Sequence, residues 1–319
     1  MSMAKKQQQG IALITILMMV ALATIIAASI AKHQASTHDN TAYVMRQNQA
    51  LMYAKSAEAF FEEILLEDAA SNSSADYLQE TWAKPMPGFP IDGGMVSGQI
   101  FDESGKFNLN TLLKADGTPN PDAQAYFELL LKRVGLPAEI SQAVIDWQDA
   151  DDLNIGAMGA ESQYYGGLSQ PYMAANQAFH SVEELKQVRG FEGANYDLIA
   201  PYVTAIPSID TKININTAPA MVLAALDDRL NQQSVQDMIN AKQSKMEYFS
   251  NLNELWETAP FNQVDAAQKT LAGQIFDVKS TFFKANIEVV LSDRKRQFTS
   301  YMMRQDKSIY ISSRSLAPF

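Results

Sequence analysis

The stretch GIALITILMMVALATIIAASIAK, residues 10–32, decides how the rest of the chain is read. From Ile11 to Ala31 it carries no charged residue, and most of its side chains are Ile, Leu, Met, Val or Ala. At a rise of ~1.5 Å per residue such a run makes a helix about 30 Å long, the thickness of a bilayer's hydrocarbon core. A secretory signal peptide has an apolar region of only ~7–15 residues, so this run is too long for an ordinary one. Lys5 and Lys6 precede it, and cationic flanks stay on the cytoplasmic side. The expectation is one membrane-spanning helix over 11–31, with the N-terminus cytoplasmic and the bulk of the chain outside the cytoplasm.

Composition bounds what that bulk can do. A chain of 319 residues is large enough for about two domains. Its net charge of −11 opposes binding to nucleic acid and to anionic membrane surfaces. It has no cysteine, which excludes disulfides, thiol catalysis and thiolate metal sites. The three histidines, His33, His38 and His180, are too few and too scattered for a triad or a His-rich zinc site.

Beyond the apolar run the sequence stays helix-like to about Glu67, with neither Pro nor Gly between Ile11 and Pro85. Ala42, Met45, Gln49, Met52, Ala59, Phe60 and Ile64 suggest a stripe of helical period. One helix of roughly 55 residues would span ~80 Å; the alternative is two helices broken near Thr37–Asn40. KPMPGFPIDGG, dense in Pro and Gly, is read as irregular. MVSGQIFDESG alternates through Val96, Gln99, Ile100 and Phe101 and reads as a strand over 95–103. Near the C-terminus, alternation at Phe283, Ala285, Ile287, Val289 and Leu291 predicts a second strand. Others follow near Gln297–Arg304 and Ile309–Ser312.

Between these strands lie about 170 residues of helical character with a loose internal repeat. One copy (106–191) opens KFNLNTLL and ends FHSVEELKQVRGF; the other (212–261) opens KININTAPAMVLAAL and ends FSNLNELWETAPF. In each, the second Asn or the Thr of NxNT is expected to cap a helix, with Pro219 in a first turn. The fold class is therefore α+β. A long N-terminal helix packs on a small antiparallel sheet (32–104 and 278–319), and an all-α domain is inserted at 105–277. These units resemble helix-hairpin-helix, SAM-like modules, which implies a rival function as a membrane-tethered DNA-uptake receptor. DNA-binding hairpins grip phosphate through Gly-rich turns with Lys or Arg nearby. Here VGLPAEI and DRLNQQSV share one glycine between them.

The best ligand site is DWQDADDLNIGAMGAESQYYGG, residues 146–167. Asp149, Asp151 and Asp152 fall within four residues, and Glu161 follows across a Gly-containing loop. Carboxylates this close repel unless a cation sits among them, and Ca²⁺ takes oxygen ligands on flexible loops. The spacing is not that of an EF-hand, and a solvated acidic turn is the other reading of it. Asp146, one helical turn earlier, is assigned to capping or pairing. A glycosidase-like acid–base pair needs an apolar pocket to raise one pKa, and the acidic loop shows none. Trp147, Tyr164, Tyr165 and Tyr172 read as packing, and His180 as a cap or surface residue.

The leader MSMAKKQQQG, ending in Gly10 with Ile11 opening the apolar run, resembles the class III leader of type IV pilins and type II secretion pseudopilins. The resemblance implies that a prepilin peptidase removes residues 1–10 by cutting between Gly10 and Ile11 and methylates the new amino terminus. Mature position five, usually Glu in these families, is Thr15. A subunit without that carboxylate cannot pair with the N-terminal amine of a neighbour above it. With the NxNT and DWxDADD motifs, Tyr164–Tyr165 and the large helical insertion, the chain is similar over its whole length to the K class of minor pseudopilins. That implies a non-enzymatic subunit of the inner membrane with calcium bound at the acidic loop. It also implies a place at the pseudopilus tip with minor pseudopilins of the I and J classes, above the major pseudopilin and an inner-membrane assembly platform. Its task would be to start pseudopilus assembly and support export of folded proteins across the outer membrane. A type IV pilus minor pilin and a periplasmic enzyme with an uncleaved anchor are the remaining alternatives.

Overall fold

In the computed structural model of the chain, residues 7–71 and 74–316 are described, with side chains from Ile11 onward. Most of the basic leader, including Lys5 and Lys6, lies outside the described residues. Helix α1 runs without a break from Gln7 to Ala70, 64 residues and about 96 Å. No interruption falls at Thr37–Asn40. Ile11, Leu17, Met18, Leu22 and Ile25 are all largely exposed. A helix that is apolar on every side and buried against nothing in its own chain is suited to lipid. This is the one helix among the described residues long and apolar enough to cross a membrane.

The outer half of α1 lies on a five-stranded antiparallel sheet. Its strands are β1 (Met86–Ile91), β2 (Gly94–Asp102), β7 (Phe282–Leu291), β8 (Arg294–Gln305) and β9 (Ser308–Ser315), in the order β1-β2-β7-β8-β9. Alternation in β7 buries Phe283, Ala285, Ile287, Val289 and Leu291. On α1 the buried stripe is Ala50, Ala54, Ala57, Phe61 and Leu65. Met45, Met52 and Phe60 are exposed instead, so the stripe expected from the sequence is rotated about the helix. Alanine carries little hydropathic signal, yet its small side chain lets the helix approach the sheet closely. Burial of Phe61 and Leu65 contributes about 2–3 kcal/mol each. Gly98 makes room for Phe61, since a Cβ there would sit 2.9 Å from its ring.

Strand β1 corrects the irregular reading of KPMPGFPIDGG. Pro87 and Pro90 are tolerated because β1 is an edge strand, and a register shift falls between Met86 and Phe89. Asp92–Gly93, with Gly93 at φ +77°, is the two-residue turn that pairs β1 with β2. The β7–β8 turn is Ser292–Asp293, both at positive φ.

The chain leaves the sheet after Asp102 and returns at Phe282, directly alongside, where Asp102 opposes Phe283. Between these points lie β3 (Phe107–Asn108), α2 (Pro121–Arg133), α3 (Ser141–Asp146), α4 (Ser162–Gly166), α5 (Ala194–Ile199) and β4 (Val203–Thr204). After them come β5 (Ile213–Asn214), α6 (Ala220–Ala224), α7 (Gln232–Ser244), α8 (Asn253–Glu257), α9 (Ala266–Ile275) and β6 (Phe276–Asp277). β3 pairs in parallel with β4, and β5 with β6. Each repeat is thus a loop of helices closed at its base by a two-residue parallel bridge. The units run on to Thr204 and Asp277, past the sequence-based ends at 191 and 261.

The NxNT motif does the same work in both copies. Asn108 and Asn214 each accept from the backbone N–H two residues on. Asn110 and Asn216 clasp the backbone of Phe179 and Phe249. In the first copy Asn108, not the second Asn or the Thr, caps the short helical turn that follows. In the second, Asn214 closes a turn and Pro219 stands at the N-cap of α6 rather than within its first turn. The second Asn of each motif reaches across its repeat. Glu184 and Glu254 accept from the backbone N–H of Ser181 and Ser250. The repeats pack on each other, with the Tyr126 hydroxyl donating to Val222 O and Arg133 Nη2 donating to Asp227 O at 2.6 Å.

Candidate metal centre

Helix α3 ends at Asp146, and the chain then loops out to Ile155 and back to Glu161 at the head of α4. Asp146 holds this loop: its carboxylate accepts from Ile155 N at 3.1 Å. Gln142 accepts from Met158 N at 2.9 Å, and Arg189 Nη1 donates to Gly159 O at 3.0 Å. Gly156 sits at φ +64°, and a Cβ on Gly159 would fall 2.3 Å from Asp146 Oδ2. The second glycine is therefore what lets the returning backbone lie against the carboxylate. Trp147, Tyr165 and Tyr172 pack beneath the loop, with the Trp147 and Tyr165 rings edge-to-face at 5.3 Å.

This path brings Asp146, Asp149 and Glu161 together, each with a carboxylate oxygen within 4.8 Å of the other two, and all three buried. Glu161 is only 1% exposed, yet neither of its carboxylate oxygens has a hydrogen-bond partner; Asp149 Oδ1 has none either. Such groups are costly unless something charged satisfies them. Burial first, then the neighbouring carboxylates, pushes Glu161 up to about 7 and Asp149 up to about 6. Burial also raises Asp146.

Of the residues singled out from spacing, the fold thus unites Asp149 and Glu161. Asp151 and Asp152 are exposed on the loop. Asp151 accepts from Leu153 N at 2.8 Å, and both residues add to the negative field on Glu161. Asp146 does fix a backbone amide, as its assignment to capping or pairing implied, and it is also the third member of the cluster. The expectation that this loop offers no burial to raise a carboxyl pKa is corrected by Glu161. The signal for that pocket was the glycine pair Gly156 and Gly159, which marks a tight return rather than a mobile loop. Three converging carboxylates without a cationic side chain among them suit a hard divalent ion.

A second polar cluster joins the inserted domain to the sheet. Asp102 accepts from Ser104 N at 2.7 Å and from the hydroxyls of Thr217 and Ser280 at 2.5 Å, and burial pushes its carboxyl up to about 6. Arg304 pairs with Asp68 at 2.8 Å and with Asp76 at 2.5 Å.

A membrane-length helix packed on a small antiparallel sheet, with a helical domain inserted between two adjacent strands, defines a pilin-like subunit carrying a bulky head. Family models described as "Type II secretion system (T2SS), protein K" match residues 105–208 and 213–274. The type II secretion system protein K of Aeromonas hydrophila is 31% identical, covering 94% of both chains. That of Pseudomonas aeruginosa is 32% identical over 98% of this chain and 94% of its own. The fold is that of the crystal structure of the GspK–GspI–GspJ complex from enterotoxigenic Escherichia coli. The TM-score is 0.78 at 23% identity, covering 88% of this chain and 100% of that one. The chain belongs to the type II secretion system protein K family, the minor pseudopilins of that system.

Proposed function

We propose that this subunit caps the pseudopilus tip together with minor pseudopilins of the I and J classes and helps start its assembly for export of folded proteins. The observation that carries this is Thr15. Its hydroxyl donates to Ile11 O at 3.2 Å and to Ala12 O at 2.9 Å. The side chain is satisfied within its own helix and presents no charge to the N-terminus of a subunit above. The inserted head supports the same reading, because a broad head on a single helix obstructs stacking beyond it. The complex formed by the structural relative, which contains K, I and J proteins by name, supports the choice of partners.

In this reading, a prepilin peptidase cuts between Gly10 and Ile11 and methylates Ile11. The helix is then anchored in the inner membrane with the head in the periplasm, above the major pseudopilin and the assembly platform. Ca²⁺ is held by Asp146, Asp149 and Glu161, with Asp151 and Asp152 on the rim. It neutralises carboxyl groups that the fold otherwise leaves unpaired, and so orders the 147–161 loop for contact with partners. The role is mechanical rather than catalytic.

The experiment is intact mass of the chain from membranes with and without prepilin peptidase. A chain beginning at methylated Ile11, seen only with the peptidase, supports the reading. A full-length chain, or one cut near Ala31, overturns it.

A further inference from the structure

A second group of acidic side chains stands where α1 meets the head. Asp68, Asp76 and Glu80 each bring a carboxylate oxygen within 4.8 Å of the other two. Each already has one oxygen engaged. Asp68 Oδ2 takes Arg304 Nη1 at 2.8 Å, and Asp76 Oδ2 takes Arg304 Nη2 at 2.5 Å and Ser280 N at 2.6 Å. Glu80 Oε2 takes Tyr77 N at 3.0 Å and Trp82 Nε1 at 2.7 Å.

The second oxygens are the unusual feature. Asp76 is 1% exposed, and its Oδ1 is buried with no hydrogen-bond partner. The Asp68 carboxylate lies within 4.8 Å of that of Asp76, and burial first, then the Asp76 charge, raises the Asp68 carboxyl. Carboxylates this close repel one another unless a cation sits among them. Arg304 supplies a single positive charge against three carboxylates. The end of α1 compounds this: Asp68 stands in its last turn, which holds no basic residue, at the negative end of the helix dipole.

We propose that Asp68, Asp76 and Glu80 form a divalent-cation site of hard oxygen character, suited to Ca²⁺, that ties the end of α1 to the base of the inserted domain. Asp76 then bridges Arg304 through one oxygen and the ion through the other. The segment carrying Asp76 and Glu80 is fixed between α1, β8 and the junction at Ser280. The site is separate in residues and in fold position from the Asp146–Glu161 cluster, and it does not depend on that cluster holding calcium.

The test uses the full chain in detergent with the first cluster disabled by Asp149→Asn and Glu161→Gln, and Tb³⁺ as the probe. Trp82, hydrogen-bonded to Glu80, is placed to sensitise a lanthanide at this site. The expected result is tryptophan-excited terbium emission saturating at about one equivalent and displaced by Ca²⁺. Trp82→Phe should dim the emission, and Glu80→Gln or Asp68→Asn should weaken affinity about tenfold or more with circular dichroism unchanged. Asp68→Asn is the deciding variant if Glu80→Gln alters the fold. Absence of saturable emission, or affinity untouched by the folded variant, overturns the proposal.

Discussion

The carboxamide of Asn110 is closed on the backbone of Phe179, donating from Nδ2 to its carbonyl at 3.0 Å and accepting its N–H at 2.8 Å. This clasp joins two points 69 residues apart and recurs in the second repeat between Asn216 and Phe249. Both Asn110 and Phe179 are buried. Asn110→Ala leaves the Phe179 N–H and C=O without that partner, and a loss of about 3 kcal/mol is expected in chemical denaturation of the soluble part. Asn216 is only half-buried, so Asn216→Ala should cost less. Equal losses at the two sites would contradict the burial argument.

Arg304 holds the junction between α1, the sheet and the head. It is 8% exposed, pairs with Asp68 and Asp76, and donates through Nη2 to Ser280 O at 2.6 Å. Arg304→Ala strands two carboxylates in a buried site, and a loss of about 3–5 kcal/mol is expected. Burial raises the Asp68 carboxyl above its ordinary range, so the defect should shrink in acid, where protonation removes the unpaired charge. A denaturation series from pH 7 to pH 5 reads this directly.

The acidic loop gives a pH dependence of opposite sense from a salt-bridged carboxylate. The Glu161 carboxyl rises from 4.5 unfolded to about 7 folded. Between those values the folded state binds more protons, so stability of the metal-free chain should fall as pH rises through this window. Glu161→Gln should flatten the slope. Saturating Ca²⁺ should also flatten it, adding about 2.7 kcal/mol at a hundredfold excess over Kd. A metal-free slope that rises instead of falling would remove the premise of the calcium proposal.

The spine contact rests on small side chains. Ala57 is 5% exposed within the α1–sheet core. Ala57→Leu should overfill it and cost about 1–3 kcal/mol. Met52→Ala, on the exposed face of α1, should leave the stability of the single chain nearly unchanged. Thermal melts of the two variants side by side test the register of the helix on the sheet.

Elements whose signal is local were legible from the residues alone. The apolar run fixed a helix long and apolar enough to cross a membrane, because length and absence of charge suffice for that. Alternation fixed the three C-terminal strands, down to Phe283, Ala285, Ile287, Val289 and Leu291, since a strand buried on one face shows its period directly. The NxNT and Phe-to-Glu-Leu motifs exposed the repeat. Which face of α1 is buried emerged from long-range packing, because alanines that allow close approach carry almost no hydropathic weight. Long-range packing also decided that KPMPGFPIDGG forms a strand, since its prolines are acceptable only at a sheet edge and no local pattern says where an edge lies. The buried carboxylate cluster divides the same way. Asp149 and Glu161 could be picked out by their spacing, but Asp146 joined them only because Gly159 lets the returning backbone touch its carboxylate. Asp68, Asp76 and Glu80 likewise meet only once α1, its connecting segment and Arg304 of β8 are folded together, a convergence that burial and charge enforce in three dimensions.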